Sequence, residues 1–313
     1  MAEVKMTDAP LMLCAGEALT DLIHQGGEQW VSRVGGSVWN VARALAMLGE
    51  PTAFAGAISQ DRFGDALWAA SEEVGLDLRL LQRVERSPLL AVVEQGEPPR
   101  YFFIGDDSAD LHFDAAALPA GWRDSLRWAH FGGISLAREP LAAKLVALAG
   151  ELSRKGVAIS YDPNYRNLMD ARYTPVLERM AALATVIKVS DDDLRGLFPH
   201  LGLEEALLRL RAFNPAAWCL LTRGGQGASL YHGAQRCDAL APKVEVVDTV
   251  GAGDASVAGL LHSLARHPGR PLQAHLHAAL AAGSAACQHA GATPPHPTAM
   301  HRLFEQLQGE VTS

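Results

Sequence analysis

The chain has 313 residues, enough to bury a substantial core, with 49% apolar and 20% charged residues and a formal net charge of -8. No apolar run approaches the roughly 20 residues that a membrane-spanning helix needs. Lysines and arginines do not cluster, which speaks against binding along a nucleic-acid backbone, so an anionic ligand would need a local cradle.

In chain order, "MAEVKMTDAP" carries acidic Glu3 and Asp8 ahead of a short apolar stretch. A secretory signal has a basic start and a longer apolar segment, so this reads as a cytoplasmic start with no leader. "LMLCAG" then predicts a first strand, and "GEALTDLI" places Asp21 just beyond it, over the end of a sheet. "VGGSVWNVARALAMLG" predicts a helix: Val38, Val41, Ala42, Leu45 and Leu48 share one face, Gly35 and Gly36 open it, and Gly49 ends it. "TAFAGAI" is the next strand. Residues 86 to 110 hold two strand-like runs joined by a Gly/Pro turn with no helix between them, the pattern of a hairpin flap.

"WAHFGG", a helix stopped by Gly156, and "GVAISYDPN" make one βαβ unit. "TVIKVS", "AAWCLLTRG" and "GASLYHG" are further strands, and "ATPPHPTAM" reads as an irregular crossing before a last short helix. Strands alternating with longer helices imply an α/β fold with three layers, a mostly parallel central sheet flanked by helices. No repeat, low-complexity stretch or linker divides it, so residues 1–313 read as one domain. Cys14, Cys219, Cys237 and Cys287 are far apart with no C-x-x-C pair and read as reduced, packed thiols. His275 and His277, two apart on a helix, do not share a face and make a poor metal pair.

Chemistry concentrates in five stretches. In "DTVGAGDASVAGLL" the apolar face of Val257, Leu260, Leu261 and Leu264 starts a helix at Gly251, so Gly251, Ala252 and Gly253 sit where backbone N–H groups lack helical partners and attract anions. Asp254 in the first turn either complements the helix dipole or serves whatever lies over those amides. Asn40 either caps its helix or contacts a polyhydroxylated ligand. Asp21 is a loop acid or a partner for sugar hydroxyls at the carboxyl end of the sheet. "YDPNYR" aims the planar fork of Arg166 toward a substrate or phosphate. "IKVSDDDL" and "LLTRGGQGASLY" bring Lys188, Asp193, Thr222, Gly224 and Gly227 to strand ends where a nucleotide could lie, although turn glycines need no ligand to explain them. There is no P-loop, no complete G-x-G-x-x-G after a strand and no G-x-S-x-G elbow.

Taken in this order, with "GGSVWNVARALAMLG" and "DTVGAGD" as its two motifs, the chain resembles the ribokinase-like (PfkB) family of carbohydrate kinases over nearly its whole length. "GEALTD", "AHFGGISLAREP", "YDPNYR" and "IKVSDDDL" look most like bacterial fructokinases. The resemblance implies a ribokinase-like fold with a small β lid formed by about 20–34 and 86–110, which moves over the sugar. It implies transfer of the ATP γ-phosphate to a hydroxymethyl group, here the 6-hydroxyl of fructose, with Mg²⁺.

By the same resemblance Asp254 is the general base, and the amides of Gly251, Ala252 and Gly253 are the anion hole. Asp21, Gly35, Gly36, Asn40, Phe102 and Arg166 line the sugar site. Lys188, Asp193, Thr222, Gly224 and Gly227 face ATP or its metal network. A monovalent cation, potassium, would sit by Asp248, Val250, Ala286 and Gly291, and a homodimer would form through the lid. Ribokinase, 2-keto-3-deoxygluconate kinase and nucleoside kinase are alternatives on the same scaffold, and a sugar-binding protein without transfer is the alternative outside enzymes. A dinucleotide oxidoreductase is disfavoured by the glycine pattern. Three departures from the family pattern bear on the sugar: Trp39 beside Asn40, Ala255 and Ser256 after the base, and Phe103-Ile104-Gly105 where acid-sugar kinases carry Tyr-Tyr-Arg. The last points to a neutral sugar.

Overall fold

The structure, a computed structural model, describes residues 11–94 and 100–309. The acidic start with Glu3 and Asp8, and the Gly/Pro turn of the flap, lie outside the described residues. The chain opens with β1 (Met12–Ala15), leaves as the hairpin β2 (Leu19–Gly26) and β3 (Gln29–Gly35), and returns through α1 (Ser37–Met47) to β4 (Thr52–Ser59), α2 (Arg62–Glu73) and β5 (Leu81–Val84). A second excursion, β6 (Leu90–Glu94) and β7 (Arg100–Ile104), precedes β8 (Trp128–Gly132). Alternation follows: α3 (Leu141–Arg154), β9 (Ala158–Asp162), α4 (Thr174–Leu183), β10 (Val186–Ser190), α5 (Asp191–Leu197), α6 (Leu203–Ala212) and β11 (Trp218–Thr222). The hairpin β12 (Ala228–His232) and β13 (Gln235–Ala239) leads to α7 (Ala252–Arg266), α8 (Leu272–Ala286) and α9 (Pro297–Gly309).

These strands make two sheets. The larger has nine strands in the order β13-β12-β11-β10-β9-β8-β1-β4-β5, parallel from β11 to β5 with β12 and β13 antiparallel. Because successive side chains of a strand face opposite ways, β1 sends Leu13 and Ala15 into one core and Met12 and Cys14 into the other. Leu141, Leu145 and Leu148 of α3 cover the first face, and Val41 and Leu45 of α1 with Val257, Leu260 and Leu261 of α7 cover the second. Burial on both faces explains why the inner strands of this sheet read as continuous apolar runs.

The smaller sheet, β3-β2-β6-β7, stands apart on two chain excursions. Its β2 and β3 run over residues read from sequence only as part of a lid, and Asp21 lies within β2, opposite Arg33 of β3, rather than on a loop over the main sheet. β5 and β13 were likewise not legible as strands: "LQRV" is short, and "QRCDA" is mostly polar and exposed. Among the described residues no helix is long and apolar enough to cross a membrane.

Candidate functional site

The loops after β1, β8 and β9, with Lys188 of β10, open into a cavity of about 780 Å³ at the carboxyl end of the parallel strands, roofed by the small sheet. That is where open parallel sheets take ligands. The starts of α1 and α7 both face it, because Gly36 and Gly251 let the chain turn sharply into each helix. Gly36 has φ 113°, and a Cβ there would lie 2.8 Å from the Glu17 carbonyl. Gly251 has φ 79°, and its Cβ would lie 2.9 Å from Ala292. Both conformations are open to glycine and strained for other residues.

Asp254 occupies the first turn of α7 and is buried. Its Oδ1 accepts from the Ser37 hydroxyl at 2.7 Å and its Oδ2 from the Asn40 side-chain amide at 2.9 Å. Asn40 is therefore not the cap of its own helix; it reaches across to the carboxylate. Burial raises the Asp254 pKa, against the bonds from Asn40 and Ser37 and the charges of Lys188 and Arg166. Gly251 and Gly253 line the cavity beside it. Ala252 does not, and its N–H donates to the Thr249 carbonyl at 3.2 Å, so within the expected trio it is the amide already engaged.

Lys188 lies directly beneath this turn. Its Nζ is 2.9 Å from Asp162 and 3.8 Å from Asp193, and a Cβ on Gly253 would come within 3.2 Å of it, so the missing side chain leaves the ammonium facing the cavity. Burial works against that charge, but Asp162 and Asp193 hold it well above the ordinary lysine range. Asp193, expected at the nucleotide, instead spends both carboxylate oxygens inside: Oδ1 accepts from the Tyr165 N–H and Oδ2 from the Ser190 N–H, each at 2.8 Å, as the return half of a capping box on α5.

On the opposite wall, Asp21 packs against bare Gly35, where a side chain would collide with its carboxylate. Burial pushes Asp21 up to about 6, with Arg166 opposing and Asp254 adding to the rise. Arg166 is held by Asn164 Oδ1 at 2.8 Å and the Tyr165 carbonyl at 2.7 Å, and its guanidinium stands 5.5 Å from the ring centre of Tyr101 on β7. Phe102 is corrected by the alternation of that strand: Tyr101 and Phe103 line the cavity, while Phe102 turns to the outer face, 51% exposed.

The departures at positions 39 and 255 prove to be core features rather than pocket features. Trp39 is fully buried and donates its Nε1 proton to Ser71 of α2 at 2.9 Å, away from the cavity. Ala255 is buried, and the Ser256 hydroxyl donates to the Ala252 carbonyl. Residues missed from sequence are Ser37, Tyr101 and Glu17. Burial pushes the Glu17 carboxyl up to about 7, and it accepts the Ser135 N–H at 3.2 Å on the cavity wall. Ser37 stood in the glycine stretch already quoted, and only its distance to Asp254 marks it.

Thr222, Gly224 and Gly227 gather at the end of β11, beyond the lining of this cavity. Gly224 is exposed with open space about it, whereas Gly227 is glycine because a side chain would strike the Ala239 carbonyl. Asp248 ties two loops together: Oδ1 accepts from Val250 N–H at 3.0 Å and Oδ2 from Gly291 N–H at 2.8 Å. Ala286 ends α8, and its carbonyl accepts the His289 N–H at 3.2 Å. Among the described residues no three or more His, Cys, Asp or Glu side chains gather to hold a metal. His275 and His277 are buried in α8, where His275 bonds the Ser263 hydroxyl.

A buried carboxylate at a helix start, flanked by glycine amides and a buried ammonium, is equipped to align a hydroxyl and steady a migrating anion. Residues 10–299 match the pfkB family carbohydrate kinases. A fructokinase of Rhizobium leguminosarum bv. trifolii is 34% identical over 263 residues, covering 81% of this chain and 79% of that protein. The crystal structure of a fructokinase from Vibrio cholerae O395 in its fructose, ADP and calcium ion bound form superposes with a TM-score of 0.81 at 26% identity, covering 95% of this chain and 99% of that one. That of an aminoimidazole riboside kinase from Salmonella enterica, complexed with aminoimidazole riboside and an ATP analog, also gives 0.81 at 26% identity, covering 94% and 99%. With its two glycine-led helices converging on Asp254 and its small sheet over the cavity, the chain belongs to the pfkB family of carbohydrate kinases, a ribokinase-like α/β fold.

Proposed function

We propose that this sugar kinase is an ATP-dependent fructokinase that phosphorylates the 6-hydroxyl of fructose. The observation that carries the reading is the placement of Asp254, bonded to Asn40 and opening on the same cavity as Asp21 and Arg166. The fructokinase relatives supply the sugar. Asp254 aligns the acceptor hydroxyl and takes its proton, while Gly251 and Gly253 amides and Lys188 meet the charge of the moving phosphoryl group. Asp21, Asn40 and Arg166 hold the sugar hydroxyls.

The nucleotide enters from the Thr222 and Gly224 side. Mg²⁺ would arrive with the nucleotide, held by its phosphate oxygens, and would neutralise phosphate charge there. The Asp248, Val250 and Gly291 loops are the candidate seat for potassium. The small sheet serves as a lid that excludes water. Trp30, Phe102 and Ile104, half-exposed on its outer face, support a homodimer through the lid.

Neutral-sugar preference is supported by the Asp21 carboxylate on the cavity wall, which would repel a sugar acid. A second reading, a riboside kinase, is favoured by Tyr101 and Phe103, two aromatic faces on the lid where a base could stack. ADP release measured with fructose, ribose, tagatose, 2-keto-3-deoxygluconate and ribosides decides: fructose should give the highest kcat/KM. No turnover of fructose would reject the reading.

A further inference from the structure

The Ser37 hydroxyl does no work in its own helix. Serine at a helix start ordinarily caps it by accepting a backbone N–H from the first turn. Here the cap position is Gly36, no side chain caps α1, and the Ser37 hydroxyl crosses to α7 to donate to Asp254 Oδ1 at 2.7 Å. Asn40, three residues on and so on the same face, takes Oδ2 at 2.9 Å. All three side chains belong to the wall of the one cavity. Held at both oxygens, the carboxylate cannot turn about its last bond without losing a hydrogen bond.

We propose that Ser37 is a positioning residue for the Asp254 base, fixing the plane of the carboxylate so that a free lone pair faces the acceptor hydroxyl. This rests on the reading of Asp254 as the general base. Each carboxylate oxygen accepts about two hydrogen bonds, so the bond from Ser37 leaves room for the sugar hydroxyl and its proton. A donor to the ionised form also holds the acid down against the rise that burial imposes. The other charges that act on Asp254 are Lys188 of β10 and Arg166 after β9, which favour its ionised form, and Asp21 of β2 and Asp162 of β9, which oppose it. None of them is altered by a change at position 37.

The test uses the full chain with ATP and fructose, reading kcat and KM across pH. Ser37→Ala should lower kcat roughly tenfold, the weight of one hydrogen bond to a charged group, and move its acid limb to higher pH while the sugar KM stays within about twofold. Because alanine could disturb packing, Ser37→Thr and Ser37→Val provide a pair of equal shape that differ in the hydroxyl. The threonine variant should keep the parental pH profile and the valine variant should not. A valine variant with parental kcat and an unmoved acid limb, beside an inactive Asp254→Asn, overturns the role of Ser37 alone. An Asp254→Asn variant at the parental rate overturns the base itself and this inference with it.

Discussion

Replacing Lys188 by methionine tests the electrostatic floor of the site most directly. Methionine keeps much of the stem but removes an ammonium 2.9 Å from Asp162 and 3.8 Å from Asp193, all three side chains being nearly inaccessible. At an effective dielectric of about 20 those separations correspond to roughly 6 and 4 kcal/mol of attraction. Most of this offsets the cost of taking the charges out of water. What the substitution exposes is the uncompensated remainder, two buried carboxylates that repel each other, and breaking one side of such a pair typically costs about 3 to 5 kcal/mol. Urea unfolding at neutral pH should show a loss of that size. Adding Asp162→Asn to the same chain should recover more than about 1 kcal/mol, since neighbours in one network are not additive. A Lys188→Met protein as stable as the parent, or a double variant no better than the single, would refute the idea that the two acids depend on this lysine.

Asp254→Asn should lower kcat by about 10² to 10⁴-fold with nucleotide binding retained, measured by steady-state ADP release and by calorimetry. If Asp21 meets the sugar hydroxyls as a carboxylate, kcat/KM for the sugar should gain an extra acid fall as pH drops below about 6, and Asp21→Asn should remove that part of the fall while raising KM, leaving the limb that belongs to Asp254. Trp39→Phe should leave the sugar KM unchanged and lower the melting temperature, because it removes the bond to Ser71 in the core and touches no ligand. Gly36→Ala should cost both stability and sugar affinity, read by thermal melts and KM, because alanine is strained at φ 113° and presses on the Glu17 carbonyl.

Local chemistry determined a good deal by itself. Apolar runs such as "TAFAGAI" and "WCLLT" are β4 and β11, since strands buried on both faces must be apolar throughout. The periodic face from Val257 to Leu264 and the glycines before it define α7 and put Asp254 in its first turn, and the same logic places Asn40 at the start of α1. Tertiary structure decided what those residues meet. β2 pairs with β3 on one side and, across 70 residues of chain, with β6 on the other, and the half-exposed, mixed faces of β2 and β3 leave little period to read. Whether Phe102 or its neighbours face the cavity depends on a one-residue register, and whether Trp39 is pocket or core depends on where α2 packs. Ser37 and Asp254 are 217 residues apart, and nothing local in either stretch encodes a contact of 2.7 Å. Backbone conformation is written in neighbouring residues, but side-chain partnership is set by how distant elements close upon each other, and the second carries the chemistry.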